Sequence, residues 1–186
     1  SLVKTAKRYI EKGDIFLLVL SQRFERKFEK KPIEIYNYLR KLNPSPFMFY
    51  FNYEDFNVLG SSPEILVRLR KNEVTIRPIA GTRPRGKNSK EDKKYEIDLL
   101  RDKKELSEHL MLLDLGRNDV GKVSKINSVK VTEKFKVEKY SHVMHIVSNV
   151  VGKFNDRFSL FETLLSGFPA GTVSGAPKIR AMEIID

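Results

Sequence analysis

The stretch EILVRLRKNEVTIRPIAGTRPRG, residues 64–86, decides the fold class. Within Glu64–Arg70 the side chains fall into two alternating sets, and one set is wholly apolar, which is the two-residue period of a strand. The polar pair Lys71–Asn72 predicts a turn, and Val74–Arg77 repeats the alternation. Neighbouring strands joined by a tight turn predict an antiparallel meander.

On the N-terminal side of this stretch, helices and strands are mixed. The predicted elements are a helix over Ser1–Lys12, a strand over Asp14–Phe24, a helix over Pro32–Lys41, and strands over Phe47–Phe51 and Phe56–Gly60. Pro44 stops the second helix, because a proline lacks the N–H group that a helix interior requires. The meander therefore begins upstream of residue 64.

On the C-terminal side the period changes to that of a helix over Lys90–Leu115. Four leucines share one predicted helical face: Leu99, Leu106, Leu110 and Leu113. Further predicted elements are strands over Ser128–Val131 and Val143–Val151, a short helix opened by a Ser159–Glu162 capping box, and a last helix near Pro177. The order predicts an α+β fold, with antiparallel sheets and packed helices in one domain over residues 1–186.

Composition narrows the classes of protein. The 186 residues include no cysteine, which rules out disulfides and thiolate metal sites. No apolar run of about 18 residues and no signal peptide is present, so we expect a cytoplasmic protein with no membrane partner. The net charge of +11 raises the question of nucleic acid binding. The basic residues alternate with acidic ones and do not cluster with aromatic residues, so a solvated surface and no nucleic acid partner are expected.

Glu105 and Glu108 lie about one helical turn apart, so their side chains project from one side of the predicted helix. Two adjacent carboxylates repel each other unless a cation lies between them, and Mg²⁺ suits such a pair because it keeps several waters. From the spacing alone, a solvated charged face beside Lys103 and Lys104 is the simpler interpretation. His109 has no second histidine at metal-ligand spacing.

Three further stretches carry weaker signals. Gly167–Lys178 is a glycine-rich turn entering a helix, where free N–H groups bind anions, although an ordinary tight connection fits as well. In Arg77–Gly86 a strand ends in a Gly–Thr step, for which a turn is the simpler explanation. His145 shares a strand face with Val143 and Val147, and a histidine on an apolar face is more often a core residue than a catalyst.

Together these stretches resemble the chorismate-utilising enzyme family and, within it, the component I chains of the anthranilate synthase branch. The matching segments run in order along nearly the whole chain: Gly13–Phe16, Leu20–Phe24, Asn43–Met48, Gly60–Glu64, Arg77–Gly86, Glu108–Leu112, Asp114–Asp119, Tyr140–Ser148 and Phe168–Asp186. The resemblance implies the anthranilate-synthase-type chorismate-binding fold and a lyase activity.

The resemblance also implies roles for the carboxylate pair and for the substrate contacts. Glu108 is expected to bind Mg²⁺ directly, and Glu105 to act as its outer-shell companion. Gly81 and Thr82 are expected to contact chorismate. Thr172, in the glycine-rich loop, is expected to lie on the substrate side of the site.

The same resemblance implies catalytic and inhibitory residues. His145 is expected beside the substrate ring, in the step that eliminates pyruvate. Glu64 matches a family glutamate that can protonate the departing C4 hydroxyl group, a task that a raised pKa would suit. Pro46, Phe47 and Met48 match a stretch that lines an inhibitory tryptophan site.

The reaction that the resemblance implies is the Mg²⁺-dependent conversion of chorismate and ammonia into anthranilate and pyruvate, the first step of tryptophan biosynthesis. Its expected partners are a glutamine amidotransferase subunit, which supplies the ammonia, and tryptophan as a feedback inhibitor. The chain begins at Ser1 and stops at Asp186 inside a predicted helix. We therefore expect an incomplete domain that lacks an upstream tryptophan segment and a downstream active-site segment, and that is inactive by itself.

Two departures from related sequences bear on the reaction. Relatives that add water at C2 carry a lysine base in the strand near Leu17, where anthranilate synthases usually have glutamine. Para-aminobenzoate synthase component I, the nearest rival within the family, typically carries a nucleophilic lysine where this chain has Ala80. Both departures favour direct attack by ammonia and an ortho product. Two functions from outside the family stay open at this point: a basic nucleic-acid-binding module and a non-catalytic scaffold.

Overall fold

The computed structural model describes residues 1–186, which fold into two compact units. One unit comprises Ser1–Leu20 and Ile65–Asp186, and the other comprises Ser21–Glu64. Helices and antiparallel sheets occur together, which confirms the α+β class. No helix has both the length and the apolar character that a membrane crossing requires. That residues 1–186 all belong to one chorismate-binding domain stays a prediction, because a division into compact units does not show what the units bind.

The elements follow one another without a regular strand–helix alternation. In chain order they are α1 (Leu2–Glu11), β1 (Leu17–Leu18), α2 (Pro32–Leu42), β2 (Phe47–Asn52), β3 (Asn57–Ser62), β4 (Arg68–Arg70), β5 (Glu73–Ile76), β6 (Ile79–Pro84), α3 (Ser89–Arg101), α4 (Lys103–Lys122), β7 (Lys130–Lys139), β8 (Val143–Lys153), α5 (Leu160–Gly167), a 3₁₀-helix (Gly171–Val173), β9 (Gly175–Ala176) and α6 (Lys178–Ile185).

Strand β8 is the central strand of a five-stranded antiparallel sheet in the first unit. Its C-terminal part pairs with β5, and its N-terminal part pairs with β6. Strand β7 pairs with β8 over Met144–Val151, which spans both of those regions, so β7 occupies the opposite edge of β8. Strand β4 pairs with β5 and completes the sheet.

Two buried clusters hold the helices against this sheet. Residues of β5, α4 and β8 form the larger cluster, which includes Val74, Leu113, Val120 and Val150. The smaller cluster joins Leu99 of α3 to Met144 and Ile146 of β8. Burying one such aliphatic side chain stabilises a fold by about 1.5–3 kcal/mol, so these contacts fix α3 and α4 on the sheet.

The second unit consists of α2 and the hairpin of β2 and β3. Phe47 pairs with Ser62 at one end of the hairpin, and Asn52 pairs with Asn57 at the turn. The Tyr36 ring of α2 lies 5.7 Å from the Tyr50 ring of β2, which packs the helix on the hairpin. The hairpin and the β4–β5 pair belong to different sheets, so the predicted single meander is wrong.

Two predicted strands are much shorter in the structure. Within Asp14–Phe24 only β1 forms a ladder, with Leu17 opposite Ala176 and Leu18 opposite Gly175. The backbone hydrogen bonds to the β9 segment extend only from Phe16 to Val19. Beyond them the stretch is not in a strand, and Phe24 is 83% exposed. Within Glu64–Arg70 only Arg68–Arg70 pairs, opposite β5.

The helix predicted over Lys90–Leu115 is two helices with a break at Asp102. Asp102 ends α3 and caps α4, since its carboxylate accepts hydrogen bonds from the Lys104 and Glu105 N–H groups. The break changes which residues share a face. Leu99 lies on α3 and the other three leucines lie on α4, so the single helical face predicted for all four is wrong. Leu99 and Leu113 are buried, whereas Leu110 is 51% exposed.

Gly152 of β8 provides a test of this packing. A methyl group at position 152 would overlap the Ser124 side chain and lie 2.7 Å from a Val120 methyl group. We expect Gly152→Ala to lower the free energy of unfolding by about 1–3 kcal/mol, because the core must shift to admit the methyl group. Urea unfolding followed by circular dichroism measures the change.

Gly121→Ala is the matched control, since the nearest atom to its methyl group would be a Val129 methyl group at 4.0 Å. Alanine in a helix is favoured over glycine by up to about 1 kcal/mol, so this variant should be as stable as the parent or more stable. An equal loss of stability in both variants would contradict the packing described for Gly152.

Candidate active site

At Gly81 the regular pairing of β6 with β8 is interrupted, and the Glu105 carboxylate lies close to the strand there. Ala80 pairs with Ile146 and Thr82 pairs with His145, so Gly81 is left out of the ladder. Its φ of +72° lies in the left-handed region, where other residues are strained. A methyl group there would lie 3.2 Å from Glu105 Oε2. Glycine therefore lets the Glu105 carboxylate approach the backbone of β6.

His145 of β8 lies directly across from this irregularity. Its Nδ1 is 3.0 Å from the Gly81 carbonyl oxygen and 3.0 Å from Thr82 Oγ1. A carbonyl oxygen can only accept, so Nδ1 must carry the hydrogen. In the neutral ring Nε2 then has a free lone pair, and no protein group hydrogen-bonds to it. The geometry thus prepares His145 Nε2 to accept a proton.

A chain of polar side chains supports the ring of His145 from the end of β7. The Tyr140 ring lies 5.5 Å from the His145 ring, and the Tyr140 hydroxyl donates to Glu138 Oε2 at 3.0 Å. Arg77 Nη2 donates to the other Glu138 oxygen at 2.6 Å. Burial, and then the Glu138 carboxylate, raise the pKa of Tyr140, so it stays a phenol and a donor. Sequence reasoning missed Arg77 and Glu138, because they meet only across the sheet.

Arg83 connects β6 to the helices α3 and α4. Its Nε donates to Asp98 Oδ2 at 2.6 Å and its Nη2 to Asp102 Oδ2 at 2.9 Å. Its Nη1 lies 3.8 Å from Glu105 Oε1. The Arg83 guanidinium lowers the pKa of Asp102, which keeps the helix cap ionised. One arginine therefore links β6, α3 and the first turn of α4, where Glu105 lies.

Arg85 and Asp92 fix the far end of β6. Arg85 Nη2 donates to Asp92 Oδ2 at 2.7 Å, and the Gly86 N–H donates to Asp92 Oδ1 at 2.7 Å. The hydrogen bonds from Arg85, and then from Gly86, lower the pKa of Asp92 to about 2. An aspartate at the start of α3 is therefore ionised at all ordinary pH values and anchors the strand that carries Gly81 and Thr82.

Glu108 lies in the wall of a cavity of about 900 Å³ in the first unit. Residues of α4 line one side of this cavity, and Leu17 and residues of the β9 segment line another. The Glu108 carboxylate forms no ion pair and no side-chain hydrogen bond within the protein. Asp114, the second acidic residue of the wall, is paired with Arg117 at 2.9 Å. Glu108 is therefore the acidic group of this wall that is available to a ligand.

The carboxylate pair fits Mg²⁺ as part of a donor set. Glu105 and Glu108 offer hard oxygen donors from successive turns of α4. Glu105 Oε1 lies 3.8 Å from Arg83 Nη1, a longer separation than the 2.6 Å and 2.9 Å bonds that Arg83 makes to Asp98 and Asp102. No group of three or more histidine, aspartate or glutamate side chains is close enough to hold a metal ion on its own. Two carboxylates suit an ion that keeps several waters and accepts an oxygen of a substrate.

His109 has a structural environment that sequence inspection missed. Its ring is fully buried, and Nε2 lies 2.7 Å from Ser148 Oγ, which also accepts the Phe135 N–H at 3.1 Å. Burial lowers the pKa of His109 to about 4, so the ring is neutral. Its Nδ1 has no partner. His109 therefore joins α4 to β7 and β8 behind the carboxylate pair.

The remaining predicted residues lie in three other places along the chain. Thr172 is in the 3₁₀-helix between α5 and β9. Glu64 follows β3 in the second unit, where its N–H donates to Ser62 Oγ at 3.3 Å. Pro46, Phe47 and Met48 lie at the start of β2 in that unit, and Phe47 is 44% exposed. The structure thus gathers Gly81, Thr82, Glu105 and His145 in one place within the first unit.

The model of one protein family, described as chorismate binding enzyme, matches residues 1–186. The chain belongs to the chorismate binding enzyme family. This confirms the resemblance drawn from the ordered motifs of the sequence.

Individual members of the chorismate binding enzyme family are close to this chain. It is 65% identical over 184 residues to anthranilate synthase component 1 of Cereibacter sphaeroides, covering 99% of this chain and 37% of the relative. The Aquifex aeolicus protein of the same name is 56% identical over 185 residues, which cover 100% of this chain and 37% of the relative.

The crystal structure of anthranilate synthase component I from Streptococcus pneumoniae TIGR4 superposes with a TM-score of 0.89 at 43% identity, covering 99% of this chain and 40% of that chain. The predicted fold is therefore confirmed. The chain spans about 37–40% of the length of these family members. The roles assigned to single residues stay predictions.

The Arg85–Asp92 anchor predicts a pH dependence of stability. A carboxylate whose pKa is lower in the folded state than in the unfolded state stabilises the fold above its unfolded pKa of 3.8, and loses that effect as the pH falls toward about 2. We expect Asp92→Asn to be less stable than the parent at pH 7, with a difference that narrows between about pH 4 and pH 2.

Urea unfolding of both proteins across that pH range measures the difference. Asp156→Asn is the control, because Asp156 is exposed and outside any ion pair, and it should stay within about 0.5 kcal/mol of the parent. A stability difference between Asp92→Asn and the parent that does not change with pH would show that the pKa of Asp92 is not lowered.

Proposed function

We propose that the full-length protein is an anthranilate synthase component I, a lyase that converts chorismate and ammonia into anthranilate and pyruvate with Mg²⁺. The observation that carries this proposal is the contact of His145 with Gly81 and Thr82 beside Glu105. These contacts support the proposal because they join the proposed proton acceptor, the two residues proposed to contact chorismate and the proposed outer-shell carboxylate. The 65% identity to the Cereibacter sphaeroides enzyme supports the same reaction.

The proposed reaction has two steps, and a different residue is proposed to transfer the proton in each. In the first, ammonia forms a bond to C2 while the C4 hydroxyl group leaves as water, and Glu64 is the proposed donor of the proton that the leaving group needs. In the second, a base removes the C2 proton, the C3–O bond breaks, and the side chain leaves as enolpyruvate, which becomes pyruvate. Loss of that group makes the ring aromatic.

His145 is the proposed base of the second step. The Gly81 carbonyl oxygen holds the hydrogen on Nδ1, which leaves Nε2 able to take the C2 proton. Thr82 and the Tyr140 ring fix the plane of the imidazole. Orientation of the base in advance removes part of the entropic barrier of the proton transfer.

Glu108 is the proposed direct protein ligand of Mg²⁺, and Glu105 is its proposed outer-shell companion. When bound, the ion would neutralise charge on the substrate carboxylate and on the departing oxygen. Arg83 holds the first turn of α4 to β6, and so keeps Glu105 beside Gly81. Thr172 is proposed to contact the substrate from the 3₁₀-helix.

Two apolar residues favour ammonia over the competing chemistries. Leu17 lines the cavity of Glu108, and its side chain cannot act as the base that activates water in isochorismate-forming relatives. Ala80 is buried opposite Ile146 beside Gly81, and cannot form the covalent bond that a lysine forms in para-aminobenzoate synthases. Both features support attack by free ammonia at C2.

The proposed assembly and control follow from the same assignment. Ammonia would come from a glutamine amidotransferase partner, and tryptophan would inhibit the enzyme at a site that includes Pro46, Phe47 and Met48. These residues lie at the start of β2 in the second unit, whereas the proposed base and metal ligands belong to the first. The cytoplasmic location and the first step of tryptophan biosynthesis stay predictions.

The product tests the assignment directly. The full-length protein, incubated with chorismate, MgCl₂ and ammonium chloride, should form anthranilate, which is identified by its fluorescence and chromatographic retention. Ammonium can replace glutamine because no step requires the partner once ammonia is present. Formation of para-aminobenzoate or isochorismate would overturn the proposal, and a reaction that lacks ammonium is the blank.

The carboxylate pair is tested by amide substitutions that keep its shape. A neutral amide is a poor ligand for a hard cation, so Glu108→Gln should lower turnover by about 100-fold or more and raise the Mg²⁺ concentration needed. Glu105→Gln should lower turnover less, since Glu105 is proposed to act from the outer shell of the ion. Glu96→Gln, on α3, is the control. Small and equal effects at positions 105 and 108 would restore the solvated-face interpretation.

A further inference from the structure

A buried ion pair lies outside all the residues assigned to the reaction. Lys178 Nζ is 2.8 Å from Asp119 Oδ2, and the two side chains are only 10% and 6% exposed. Asp119 belongs to α4, about three turns beyond Glu108, and Lys178 is the first residue of α6. The pair therefore connects the helix of the carboxylate pair to the segment that follows the glycine-rich loop.

The same lysine also holds the start of that loop. Lys178 Nζ donates to the Gly167 carbonyl oxygen at 3.1 Å. Lys122 Nζ donates to Asp119 Oδ1 at 2.8 Å and to the Ser166 carbonyl oxygen at 3.3 Å. These carbonyl groups end α5, where a helix leaves its last acceptors unsatisfied and attracts cations. Both ends of residues 168–177 are thus fastened to one carboxylate of α4.

The loop between those ends forms part of the site. Ala176 and Pro177 line the cavity of Glu108, and Ala176 pairs with Leu17. Gly171, beside Thr172, lies against the Leu115 side chain of α4 with no room for a methyl group. A shift of the loop along α4 would therefore move the wall that faces Glu108 and the residue proposed to touch the substrate.

Stability alone does not explain a buried charge pair. Desolvation offsets most of the attraction between the two ions, and an apolar pair of similar volume often stabilises a fold as well or better. A lysine with several donors and an aspartate with two acceptors instead fix relative positions, since they bind α4, α5 and α6 at defined points.

We propose that Asp119 and Lys178 are positioning residues for the reaction: they set the place of loop 168–177, and through it the substrate-side wall of the Glu108 cavity. Neither touches the substrate. The inference rests on the proposed function, because chorismate turnover is its readout. Orientation is the property at stake, and a displacement of about 1 Å can cost about 100-fold in rate.

The decisive variant is the double substitution Asp119→Leu with Lys178→Met in the full-length protein. It removes both buried charges, and the only charge that loses its partner is that of Lys122, whose side chain is 55% exposed. We expect a melting temperature close to that of the parent, but a kcat/KM for chorismate lower by about 10–100-fold. Hydrogen exchange should be faster at the amides of residues 168–177 and unchanged in β8. Lys178→Arg, which keeps the charge and donors, should recover most of the activity that Lys178→Met loses.

Lys125→Met is the control, because Lys125 is exposed, lies outside any ion pair and has no contact with loop 168–177 among its side-chain bonds. It should behave like the parent. A folded double variant with parental kcat/KM would overturn the positioning role. If the double variant does not fold, Asp119→Asn, which has nearly the same shape, gives the same readout: parental kcat/KM overturns the proposal, and failure of both to fold shows a role in folding instead.

The parent protein separates this inference from the proposed function. Absence of anthranilate formation by the parent would overturn the proposed function. Normal turnover by the parent, combined with normal turnover by the folded double variant, would overturn only the positioning role of Asp119 and Lys178.

Discussion

The pairing of β8 on both of its edges is the constraint on which the first unit depends. One edge is shared end to end by β5 and β6, and the other is covered by β7. A strand paired on both edges has little freedom to slip, because a shift by one residue would expose its buried set of side chains. Met144, Ile146 and Val150 are fully buried and hold that register. His145 and Ser148 are positioned as a consequence.

The sequence predicted those parts of the fold that depend on local patterns. The β-branched run at Val143–Val151, the capping box at Ser159 and the hairpin around Lys71–Asn72 all have the structure expected of them. Each involves residues close together in the chain, so the pattern itself contains the information. The strand predicted over Asp14–Phe24 is mostly absent for the opposite reason. A strand needs a partner, and its partner β9 is only two residues long and lies 157 to 159 positions further along the chain.

The motifs of the sequence selected the residues of the candidate site. They did not show the contacts that hold those residues in place. Motif resemblance selected Gly81, Thr82, Glu105 and His145, and the structure brings them together around the irregularity in β6. Nothing in the local sequence marks the contacts that orient them. Arg83 reaches acids 15 to 22 positions away, and a histidine of α4 meets a serine of β8 across 39 positions. Such contacts exist only after the sheet and α4 have packed, so a linear pattern cannot contain them.

The choice among related reactions depends on what the walls of the site lack. An amine at position 17 or 80 could serve as a base or a nucleophile, and the family resemblance attributes different chemistries to such groups. Here Leu17 lines the cavity of Glu108 and Ala80 is buried beside Gly81. An aliphatic side chain neither activates water nor attacks C2, which agrees with the proposal that free ammonia is the nucleophile. In this proposal the site selects ammonia over the other nucleophiles used in the family because positions 17 and 80 carry no reactive side chain. The carboxylates and the histidine do not make that choice.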